Sequence, residues 1–186
     1  MVLNVIKGPY PSLTQVDKDA LLSTDETVAV ERGSLLKIDA SGNWRVCQDT
    51  DAGDSTHPGA FAFFAFMPDT DLTAQMAGGY PVNGNQPPKL AGLAVSPTNE
   101  IETDMYNTTN GTPALGDFLT HGVDGKLTVH TDGCTALARV TKAPATRWVN
   151  NAVAVSGWRL GNNVSVIRGL TMYLPCVPGT DTPAIA

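Results

Sequence analysis

The sequence predicts an all-β protein, a sandwich or barrel of about eight or more short strands with long turn-rich loops and at most one or two short helices. Three observations lead there. Charged residues make up 16% of the 186-residue chain, against roughly 25% in ordinary globular proteins, while 18 Gly and 13 Pro occupy much of the difference. Apolar residues fall in short blocks that alternate with polar ones, which is the period of a half-buried strand. Turn chemistry separates the blocks at Gly78-Gly-Tyr-Pro81, Asn83–Pro88, Asn107–Pro113, Asp124-Gly125 and Gly161-Asn-Asn163.

Along the chain, Val2, Leu3, Val5 and Ile6 form a short apolar block that Gly8-Pro-Tyr-Pro-Ser12 cuts off from the rest of the chain, because proline fixes an extended backbone. The organisation expected is therefore an extended N-terminal arm over residues 1–15, a β domain over 16–176 and a flexible C-terminal tail over 177–186. Asp17–Leu22 suits a single helical turn, and Asp69–Met76 a short helix with an acidic first turn. Thr27–Glu31, Gly33–Asp39 and Trp44–Gln48 read as strands, the last two joined by a turn at Ala40–Asn43. Leu36, Ile38, Trp44 and Val46 supply the apolar side of that hairpin, and Lys37, Asp39 and Arg45 the polar side. Ala60–Met67 is a continuous apolar run with four of the five Phe, expected either as a central strand buried on both faces or as a strand facing a neighbouring subunit. Further strands are expected in Lys89–Val95, Asn99–Tyr106, Lys126–Thr131, Ala136–Lys142, Ala152–Arg159 and Val164–Leu174.

Several function classes are disfavoured. The net charge of −6 argues against nucleic acid, since phosphate contacts need clustered Lys and Arg. The charge is also uneven: residues 1–124 carry 6 basic and 16 acidic side chains, whereas 125–186 carry 6 and 2. Surfaces of opposite sign could meet between copies. No apolar run of about 18 residues is present, so no transmembrane helix and no membrane partner are expected. The first ten residues lack a basic segment and a long apolar core, so synthesis in a cytoplasm is expected. Cys47, Cys134 and Cys176 are too scattered for a zinc site or a disulfide framework and read as buried thiols.

No constellation assembles into a catalytic centre. His57 follows the loop Asp49-Thr-Asp-Ala-Gly-Asp54, whose alternating acids suit a calcium loop but lack the downstream bidentate Glu. His130-Thr-Asp-Gly-Cys134 brings a base and a thiol together in sequence, as any strand end before an Asp-Gly turn can do. His121 stands alone, Val155-Ser-Gly157 lacks the nucleophile elbow, and Glu100, Glu102 and Asp104 form an acidic stripe suited to solvent or an interface rim. The sequons at Asn107, Asn110 and Asn163 are products of an Asn/Thr-rich chain. No catalytic, cofactor-binding or metal-binding residues are assigned, no cofactor is expected, and the chain is read as a non-enzyme.

The segment Val28–Val46, with Arg32-Gly-Ser-Leu-Leu-Lys-Ile-Asp39 at its centre, and the later Leu90-Ala-Gly-Leu-Ala-Val95 resemble the head decoration, or cement, proteins of tailed bacteriophages. Gly125–Val129 and Val164–Gly169 are similar to strands of the same barrel, and Pro68–Pro88 has no counterpart. The resemblance implies a structural virion protein on the outer surface of a phage capsid. It would bind the major capsid protein, form a homo-oligomer, with a trimer favoured, and stabilise the shell by protein–protein contacts. The alternative is a carbohydrate- or receptor-binding β module, with Tyr80, Trp148 and Trp158 as its aromatics. The partner-binding residues expected are Val2, Leu3, Val5, Ile6 and Tyr10, acting as an arm that pairs with a neighbour's sheet edge; the alternative is an edge strand that folds back onto the chain's own barrel.

Overall fold

A computed structural model describes residues 3–7, 16–17, 22–23, 25–28, 30–54, 56–66, 91–94, 99–131, 133–155 and 158–175. Among the described residues there are eleven strands: β1 (Leu3–Lys7), β2 (Val16–Asp17), β3 (Leu35–Ile38), β4 (Trp44–Val46), β5 (Phe63–Phe66), β6 (Ala91–Ala94), β7 (Glu100–Thr103), β8 (Phe118–His121), β9 (Leu127–Val129), β10 (Ala136–Val155) and β11 (Trp158–Leu174). They form two antiparallel sheets, one of six strands in the order β1-β7-β11-β10-β8-β9 and one of five in the order β2-β6-β5-β3-β4. The fold is all-β, a sandwich, as the alternation and turn spacing predict.

The core lies between the sheets. Leu35, Phe64 and Leu93 from the five-stranded sheet meet Leu3, Ile101, Leu119, Leu127, Leu137 and Ile167 from the six-stranded one. β5 is the middle strand of its sheet and is buried on both faces, so the phenylalanine run is a central strand. Its second face belongs to a smaller cluster in which Leu22 and Val30 cover Leu36, Trp44, Val46 and Ala65. Trp44 is fully buried and meets the Phe63 ring edge-on at 5.1 Å. The ring also overlies Gly92 of β6, where an added Cβ would stand 2.6 Å from Cη2. Glycine in the Gly92-Leu93-Ala94 stretch is therefore required by the close approach of an aromatic ring. Glu26 secures this cluster from its edge: its buried carboxylate accepts the backbone N–H groups of Thr27, Val28 and Val46 at 2.8–3.0 Å.

Several sequence expectations are corrected. β1 is an edge strand of the chain's own six-stranded sheet, paired with β7 (Leu3 against Thr103), and Leu3 is buried in the main core. Residues 3–7 thus complete this chain's fold instead of forming a separate arm. Thr27–Glu31 has no strand among its described residues, although Val30 is buried. Ile38, expected on the apolar side of its hairpin, is 42% exposed. β10 runs uninterrupted past Pro144, because the register shifts between Lys142 and Ala145 and a bulge removes the need for proline's missing donor. Ala152–Arg159 is two strand ends instead of one strand, since Val155 of β10 pairs with Trp158 of β11. Gly161-Asn-Asn163 is strand instead of turn, with Asn162 and Asn163 opposite Val149 and Trp148. The expected helix at 69–76 and the tail at 177–186 lie outside the described residues, as do 18–21 of the expected helical turn, whose first residue, Asp17, is in β2.

Candidate functional site

The outward face of the six-stranded sheet carries a cross-strand row of charge. Antiparallel pairing places Glu102 of β7 opposite Arg168 of β11, and Arg168 opposite Lys142 of β10. Alternation turns Ile101 and Ile167 inward to the core, so Glu102 and Arg168 take the outer side. Glu102 is nonetheless buried, 2% exposed, because two guanidinium groups close over it. Arg168 Nε donates to Glu102 Oε2 at 2.9 Å, and Arg147 Nη1 donates to the other oxygen. A buried carboxylate survives when its charge is paired and its oxygens are hydrogen-bonded, and both conditions are met here.

Beside this triad the bulge in β10 opens a cleft of about 130 Å³ lined by Glu102, Lys142, Thr146, Arg147, Val166 and Arg168. Three cations against one anion leave the cleft positive. Glu102 occupies one donor of each arginine, and no carboxylate among the described residues pairs with Lys142. Chemically the arrangement can hold an oxyanion through guanidinium and ammonium donors.

The cleft sits at the base of a long two-stranded ribbon. β10 pairs with β8 only at Ala138 and Arg139, and β11 pairs with β7 only from Ile167 to Leu170. From Ala145–Val166 out to Val155–Trp158 the two strands pair with each other alone among the described residues, a reach of roughly 35 Å at strand rise. The hairpin from 136 to 174 holds Arg139, Lys142, Arg147, Arg159 and Arg168 and no acidic residue, which leaves −11 for the rest of a chain whose net is −6. Val153 pairs with Leu160 and Val155 with Trp158, so the four large apolar residues at the far end share one parity of the register.

The residues singled out from sequence are placed differently. Leu3 is core, Ile6 is half-buried, and Val5 pairs with Ile101; the side chain of Val5 and all of Val2 and Tyr10 lie outside the described residues. Tyr80 and the side chains of Trp148 and Trp158 do as well, and so does Cys176. In the acidic loop, Lys37 Nζ donates to Asp51 at 2.5 Å. Asp54 accepts the Thr56 hydroxyl and the backbone N–H groups of Thr56 and His57, which hold its carboxyl down to about 2. These carboxylates serve the loop's own turns, and the described residues contain no group of three His, Cys, Asp or Glu placed to hold a metal. His130 donates from Nε2 to the Cys134 carbonyl, so that nitrogen faces the backbone and not the thiol. Cys47 is buried, and burial pushes its thiol up. His121 is buried at the end of β8, where burial pulls its pKa down to about 4 against the opposing pull of Asp51.

Sequence reading missed the Glu102 triad because Arg147 and Arg168 lie 45 and 66 residues further on. The signal available was the hairpin's all-basic composition. No described helix is long and apolar enough to cross a membrane. Comparison with protein-family models, with curated proteins and with solved structures finds no match to this chain.

Proposed function

We propose that this chain is a structural protein of a virion that binds the outside of a bacteriophage capsid and stabilises the shell through protein–protein contacts. The observation that carries the reading is the β10–β11 ribbon. A two-stranded ribbon is marginal by itself in water, so one that reaches roughly 35 Å beyond its sheet partners gains most by lying against another surface. Its cations and the apolar residues at its end suit a protein surface of mixed character. The resemblance of Arg32–Asp39 and Gly92–Ala94 to decoration proteins supplies the kind of surface, and in the fold these stretches lie in one sheet as β3 and β6. The partner on this reading is the major capsid protein, the state a homo-oligomer, and the location the capsid exterior.

Negative-stain microscopy of the purified protein mixed with candidate shells tests it. Regularly spaced added density on the outer surface is the expected result. Absence of binding to every shell, together with saturable binding to defined glycans, would favour a carbohydrate-binding module instead.

A further inference from the structure

The cleft beside Glu102 lies on the outward side of the six-stranded sheet, outside both apolar cores, and it concentrates positive charge. Arg147 and Arg168 each commit one donor to Glu102, and the Lys142 ammonium pairs with no described carboxylate. Glu102 cannot neutralise three cations, and at 2% exposure it is hidden behind the guanidinium groups. The side presented to an approaching ligand is therefore cationic. A volume of about 130 Å³ admits a carboxylate or another small oxyanion with a few waters, but no drug-sized molecule.

We infer that the Lys142–Arg147–Arg168 cleft is a carboxylate-binding site, and that its ligand is an acidic side chain on a second copy of this chain. Charge decides between the sources. The hairpin that frames the cleft carries five cations and no acid, while the remainder of the chain carries a net −11. A polyanion such as nucleic acid would meet that acidic remainder on approach, whereas a second copy presents it as the complementary surface. The contact is heterologous, basic hairpin to acidic body, so each copy offers both halves. Self-association of this kind is independent of the choice of shell, because it is measured without any capsid present.

Sedimentation equilibrium of the full chain tests it in roughly 0.05 M and roughly 0.5 M salt, a change that shortens the screening length about threefold. The expected result is self-association at low salt that weakens about tenfold or more at high salt, and that Lys142→Glu weakens by about tenfold. Lys142 is exposed and holds nothing else in place, so this variant folds as the parent does. Glu102→Gln, which makes the cleft more positive, should shift association in the opposite direction. Lys126→Glu, a charge reversal outside the cleft, should change it less than about twofold. A protein that stays monomeric at all concentrations, or whose association ignores Lys142→Glu, would overturn the inference. So would tight binding of a single-stranded oligonucleotide that competes with self-association.

Discussion

Arg168 of β11 stands directly across the sheet from Glu102 of β7, with Nε 2.9 Å from Oε2, and Arg147 takes the carboxylate's other oxygen. The pair lies where the six-stranded sheet ends and the two-stranded ribbon begins, so one buried charge fixes the ribbon's root. Arg168→Ala removes one of the two guanidinium groups that bond this buried carboxylate. It should destabilise the fold by about 1–3 kcal/mol, read as a lower denaturant midpoint. Arg168→Lys should recover only part of the loss, because an ammonium lacks the planar fork. An unchanged midpoint in Arg168→Ala would mean that Glu102 is solvated in solution.

What was legible in the sequence was local. The phenylalanine run marks a strand, either central or facing a neighbouring subunit, and β5 is the central one; the alternation across Trp44–Val46 marks the apolar face that Leu22 and Val30 cover. What was not legible was long-range or overridden. Val2–Ile6 reads as a detached arm because Gly8, Pro9 and Pro11 come directly after it, and the partner that retains Leu3–Lys7, β7, lies about a hundred residues away. Gly161-Asn-Asn163 carries turn residues, yet pairing with Trp148 and Val149 keeps it extended. Glu102 looked like part of a solvated stripe because nothing near it in sequence foretells two arginines.

Gly92→Ala tests the packing beneath Trp44. The new methyl would lie 2.6 Å from the ring in a place bounded by Phe63 as well, so either the indole or β6 must move. A loss of about 1–3 kcal/mol in unfolding free energy is expected, with a changed tryptophan emission. Trp44→Phe in the same background, by vacating ring volume, should restore part of it.

His121 sets an acid-side dependence. Its pKa is about 6.5 in an unfolded chain and about 4 in the fold, where burial disfavours the cation. Between these values the unfolded state binds more protons, so stability falls as pH drops from 6.5 towards 4 and levels off below. The His121 contribution amounts to about 3 kcal/mol at most. Chemical denaturation across this window should show a shallower slope in His121→Gln than in the parent. Parallel slopes would contradict the assignment.

Glu26 should be needed for the second cluster, since its carboxylate satisfies three backbone donors at once. Glu26→Ala strands the buried Val46 N–H on β4 and frees those of Thr27 and the half-buried Val28, and should cost about 1–3 kcal/mol, with faster amide exchange at Val46. Exchange at Leu119, which belongs to the other core, should stay as it is in the parent.

The most direct test of the assembly role is removal of the ribbon's outer half. Replacing residues 149–162 by an Asn-Gly turn keeps Arg147, Arg168 and both cores while deleting the part that pairs with no other described strand. Electron microscopy of shells incubated with the full chain and with the shortened one then gives the comparison. Outer-surface density is expected with the full chain and its loss with the shortened chain, whose thermal transition should remain within a few degrees of the parent's. Equal decoration by both proteins would contradict a role for the ribbon in binding the shell.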